Sequence, residues 1–95
     1  DVVQAKLLAC VAPHEAAGQA YNVAAGKRSS LNEMYAVLSE LFEKDLKPIY
    51  GSERKGDIRH SGADISKIRK NLGYAPEYDF EKGIKEAIQW YKENL

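Results

Sequence analysis

The sequence predicts an α+β fold, mostly helical, with about four helices and two short strands. Three observations lead there. Apolar residues recur at helical spacing in separate stretches, each next to a capping or breaking residue. Two short runs containing Tyr, Val or Ile are bounded by Gly or Pro. No repeat, low-complexity tract or Pro/Gly/Ser linker divides the 95 residues, so residues 1–95 read as a single domain or fragment.

The first helix is expected over residues 1–12, where Val3, Leu7, Cys10 and Val11 share one face before Pro13 and a loop from His14 to Gln19 end the pattern. Residues 20–23, between Gly18 and Gly26, read as a strand. Ser30 followed three residues later by Glu33 forms a capping box, and Leu31, Met34, Tyr35, Leu38, Leu41 and Phe42 then mark a helix face. Such a stripe is core and calls for no cofactor. Residues 47–50, opening on Pro48 and closing at Gly51, read as the second strand, with a polar loop from Ser52 to Gly62 behind it. Asp64 can cap a third helix carrying Ile65, Ile68 and Leu72, which stops at Gly73 with Pro76 blocking any continuation. Asp79 opens the last helix, with Phe80, Ile84, Ala87, Ile88, Tyr91 and Leu95 on one face. Two short strands make no strong sheet of their own, and a core this small stabilises weakly. An apolar face is therefore expected to stay exposed where a neighbouring domain packs or where the chain associates.

Fourteen basic side chains balance fourteen acidic ones, so the overall field draws in neither nucleic acid nor an anionic membrane. The balance hides an asymmetry: residues 47–73 carry seven basic and three acidic side chains. A short basic stretch suits an anionic small molecule better than a polymer, which wants a longer stripe. Lys67, Arg69 and Lys70 fall in a helical pattern and read equally well as a solvated face, whereas Arg54 and Arg59 do not. Cys10, the single cysteine, excludes a disulfide framework, and its apolar neighbours Leu7, Leu8 and Val11 predict a buried thiol in a reducing, cytoplasmic setting. No apolar stretch approaches the ~20 residues that span a bilayer.

Most chemistry is excluded by spacing. His14 and His60 lie 46 residues apart with no helical pairing to a carboxylate ligand, so no metal site is expected. Ser61, His60 and Asp57 crowd one loop without the glycines of a nucleophile elbow. Neither a P-loop nor the spaced glycines of a dinucleotide fold occurs. Tyr78 and Lys82 have Tyr-x-x-x-Lys spacing, but Tyr78 precedes the expected cap Asp79 and reads as loop packing. The informative stretch is Arg54-Lys55-Gly56-Asp57-Ile58-Arg59-His60-Ser61. A guanidinium forks onto a phosphate, a glycine admits close backbone approach, and a carboxylate accepts from sugar hydroxyls. A surface turn holding an Arg/Asp pair explains the same spacing.

That loop, together with Tyr21-Asn22-Val23, the run from Ser30 to Met34, Ala63-Asp64-Ile65-Ser66-Lys67, Leu72-Gly73-Tyr74 with Pro76, and residues 83–91, resembles the C-terminal portion of an NAD-dependent nucleotide-sugar epimerase of the extended short-chain dehydrogenase/reductase family. The Arg-x-Gly-Asp-x-Arg-His-Ser form is most similar to UDP-glucose and UDP-N-acetylglucosamine 4-epimerases. The resemblance implies a small substrate-binding C-terminal domain, detached from its Rossmann domain, with Arg54 on the diphosphate and Asp57 on the ribose hydroxyls of a UDP-sugar. It gives Asn22, Gly73 and Pro76 structural work and carries no catalytic residue into this chain. It implies NAD in the parent enzyme, where a Tyr/Lys pair assists hydride removal from the sugar C4 and its return. Those elements lie upstream in the family, so the 95 residues alone are expected to be inactive and to bind no cofactor. A free-standing nucleotide-sugar-binding or protein-interaction module, and the same portion of a nucleotide-sugar dehydratase or decarboxylase, share these residues.

Overall fold

The computed structural model describes residues 1–95. Its regular elements are helices: α1 (Val2–Cys10), a 3-10 turn (His14–Ala16), α2 (Leu31–Leu41), α3 (Ser66–Leu72) and α4 (Phe80–Asn94). The chain divides into two compact units, Asp1–Lys27 with Gly62–Asp79, and Arg28–Ser61 with Phe80–Leu95.

In the first unit α1 packs on α3. Ala5, Ile65, Ile68 and Tyr74 are buried together, with Leu8, Tyr21, Ala24 and Leu72 packed around them. The expected stripe on α1 is corrected: Val3, Leu7, Cys10 and Val11 are exposed, and Ala5 and Leu8 face the core. Apolar residues cover most of α1, so spacing alone could not choose its inner face. The Asp1 carboxylate accepts hydrogen bonds from the backbone amides of Glu77 (3.0 Å) and Tyr78 (3.3 Å). Gly26 has φ +72°, and a Cβ there would lie 2.8 Å from Ile65 Cδ1. Both the backbone conformation and the buried isoleucine therefore require glycine.

The two expected strands are absent, and the fold is helical rather than α+β. A strand needs a partner backbone, and residues 20–23 and 47–50 fall in different units with no second strand in either. Side chains fasten the first segment instead. Lys67 Nζ donates to Ala20 O (3.0 Å) and Tyr74 Oη to Ala24 O (2.9 Å). Asn22 Nδ2 donates to Asp64 O (3.3 Å), and Tyr21 Oη donates to Ala16 O (2.8 Å) while accepting from Asn71. Residues 47–50 have no regular structure, with Ile49 and Tyr50 exposed.

α3 starts one residue later than a cap at Asp64 predicts. Ile65 is the N-cap, and Asp64 Oδ1 accepts from the Ser66 amide at 2.8 Å. The Ser66 backbone and side-chain hydrogen bonds hold the exposed Asp64 carboxyl below its ordinary value of 3.8. α3 ends at Gly73, whose φ of 69° is left-handed as expected.

In the second unit α2 packs on α4. The capping box is formed: Ser30 Oγ accepts from the Glu33 amide (3.1 Å), and Glu33 Oε2 accepts from the Ser30 amide (2.7 Å). Met34, Tyr35, Leu38 and Leu41 are half-buried, and Ile88 of α4 is buried. α2 closes with Glu43 N donating to Glu40 O and Lys44 N to Ser39 O, which puts Glu43 at a φ of +52°. No helix is long and apolar enough to cross a membrane.

Candidate functional site

The loop after residue 50 turns sharply at Arg54. Asp57 N donates to Arg54 O at 3.2 Å, closing a four-residue turn, and Gly56 occupies its third position at φ +88°. A turn of this kind needs a residue tolerant of positive φ there. A Cβ on Gly56 would meet nothing within 4 Å, so this glycine serves the backbone conformation rather than a close approach.

The turn sets Arg54 and Asp57 on a cleft of about 640 Å³, whose other lining includes Ser30, Leu31 and Asn32 at the start of α2. The structure therefore brings both expected substrate contacts to one cavity. Both are exposed, and neither side chain makes an intramolecular hydrogen bond or ion pair. Glu53 and Arg59 line the same cleft and pair with each other. Asn32 accepts a hydrogen bond from Tyr50 Oη at 3.2 Å. The capping box occupies the Ser30 and Glu33 amides, and the cationic side chains that line the cleft are Arg54 and Arg59.

Asn32 and Glu53 were not singled out from the sequence as site residues. Glu53, next to Arg54, was there to be noticed; Asn32 sits inside a capping box and carried no separate signal. Lys67 belongs elsewhere: besides its bond to Ala20 it stands over the Tyr21 ring, 5.0 Å from the centroid. Tyr78 lies before α4 and Lys82 within it, so the two do not share a helix. Among Asp57, His60 and Ser61 no hydrogen bond forms, and no cluster of three His, Cys, Asp or Glu side chains could hold a metal ion.

No family model matches the chain. A UDP-glucuronate 4-epimerase of Thermodesulfobacterium geofontis is 37% identical over 75 residues, covering 78% of this chain and 23% of that protein. A dTDP-glucose 4,6-dehydratase of an Actinoplanes species is 35% identical over 79 residues, covering 82% and 25%. The crystal structure of UDP-glucose 4-epimerase with UDP-glucose from Thermotoga maritima matches 99% of this chain and 29% of its own, with a TM-score of 0.87 and 31% identity. These relatives are enzymes of nucleotide-sugar chemistry, and the chain spans about a quarter of their length. Within that class the chain is similar to part of the nucleotide-sugar 4-epimerases and 4,6-dehydratases.

Proposed function

We propose that residues 1–95 are the UDP-sugar-binding portion of an NAD-dependent nucleotide-sugar 4-epimerase acting in the cytoplasm, and are inactive alone. Arg54 takes the diphosphate through its planar fork, and Asp57 accepts from the ribose hydroxyls. One observation carries this reading: the Arg54–Asp57 turn presents an unpaired guanidinium and an unpaired carboxylate to one open cleft. The likeness over nearly the whole chain to an epimerase crystallised with UDP-glucose supports it. NAD and the Tyr/Lys chemistry belong to a dinucleotide-binding domain of the same polypeptide, since the 95 residues supply neither. This chain's residues hold and orient the nucleotide end, which fixes where the sugar lies.

A second reading, the same portion of a nucleotide-sugar 4,6-dehydratase, is favoured by the 35% identical dehydratase. Both readings share the binding step. Calorimetric titration of the chain with UDP-glucose tests it: Arg54→Ala should cost about 1.5–3 kcal/mol of affinity. An unchanged affinity, or no binding by either form, refutes the assignment and leaves a scaffold or protein-interaction unit.

A further inference from the structure

The cleft that holds Arg54 and Asp57 also holds Glu53 and Arg59, so its lining is electrically neutral before any ligand arrives. A nucleoside diphosphate sugar carries one negative charge on each phosphate. Arg54 can answer one of them, while Asp57 opposes both. Lys55 stands in the turn but does not line the cleft. The remaining cation is Arg59, and its Nη2 is engaged by Glu53 Oε1. Both partners are about three-quarters exposed, at 76% and 79% of their side-chain surface. An ion pair this open to water is weakly held and easily exchanged. A phosphate offers the guanidinium two oxygens in the bidentate geometry that it prefers, so it competes well with a single carboxylate oxygen.

We propose that Arg59 is the second diphosphate ligand of this site, released from Glu53 when the nucleotide sugar binds. The inference rests on the reading of Arg54 and Asp57 as nucleotide contacts. It makes Glu53 a competitor for the same guanidinium: the carboxylate lowers affinity in the free chain and sets a threshold of anionic charge below which a ligand does not displace it. Ligands with one phosphate should then gain less from Arg59 than ligands with two.

The test is titration of the 95-residue chain and its variants with UDP-glucose, with far-UV circular dichroism checking that each variant keeps its helices. Glu53→Gln should tighten binding about two- to fivefold, because it removes the competitor. Arg59→Ala should weaken it about tenfold, and the same substitution in the Glu53→Gln background should abolish the gain. Opposite signs for the two single variants are the signature of exchange. A pair that merely braces the loop would make both single variants weaken binding together, which overturns the inference. Arg54→Ala separates the layers: if it weakens binding while the Glu53 and Arg59 variants share a sign, Arg59 is no ligand and the nucleotide reading stands. Absence of UDP-glucose binding by the parent chain removes both.

Discussion

Asp1–Lys27 with Gly62–Asp79 buries Ala5, Ala16, Ile65, Ile68 and Tyr74, whereas Arg28–Ser61 with Phe80–Leu95 buries only Ile88 among its apolar side chains. The first unit is also cross-linked by side-chain hydrogen bonds between residues far apart in sequence, through Asp1, Asn22, Lys67, Asn71 and Tyr74. The second has fewer, such as Tyr50 to Asn32 and Lys92 Nζ to Leu41 O. Even the helix ends differ. α3 closes on Gly73 at φ 69°, where glycine is unstrained, while α2 closes on Glu43 at φ 52°, where a side chain is not. The better-packed unit lacks the candidate cleft, and the poorly packed one carries it. Binding surfaces drawn from weakly stabilised segments can rearrange around a ligand, as the proposed Arg59 exchange requires.

Ile68→Ala should produce the largest loss, about 2–5 kcal/mol by chemical denaturation, because Ile68 is fully enclosed. Ile88→Ala should cost less, and equal costs would erase the contrast between the units. Gly26→Ala should destabilise by about 1–3 kcal/mol, combining strain at positive φ with a clash on Ile65, and thermal melting reads it. Ser30→Ala should cost about 1 kcal/mol through loss of the α2 cap. Glu43→Gly should stabilise by about 0.5–1 kcal/mol, relieving the left-handed position that Gly73 fills in α3. Titration of Asp64 should give the smallest effect. Its folded pKa is depressed, so its contribution is present above the ordinary value of 3.8 and fades as pH falls through the folded one. Asp64→Asn should flatten that part of the pH–stability curve.

The helices were legible because their signals are local: a Ser30/Glu33 box, a Gly73 stop and a stripe through Ile65 and Ile68 need no distant partner to be recognised. The strands were misread because a strand is completed by another backbone, and Tyr21, Val23, Ile49 and Tyr50 carry strand propensity whether or not one is present. Residues 20–24 show what took its place, with Lys67 and Tyr74 supplying donors to Ala20 and Ala24 from over forty positions away. Cys10 was misplaced for a related reason, since a helix apolar on most sides does not announce its inner face. The motif of Arg54 and Asp57 is local in sequence, but the Glu53–Arg59 pairing depends on how the loop folds back on itself.

The Asp1 carboxylate, by accepting from the Glu77 and Tyr78 amides, joins the two sequence segments of the first unit at their outer ends. A chain emerging residue by residue during synthesis can form α1 early but cannot close that unit until residue 79 is out. α2 waits longer still, because its partner α4 comes last. Vectorial synthesis therefore completes the well-packed unit first and the cleft-bearing unit last. Until then the face of α2 that packs on α4 has no partner.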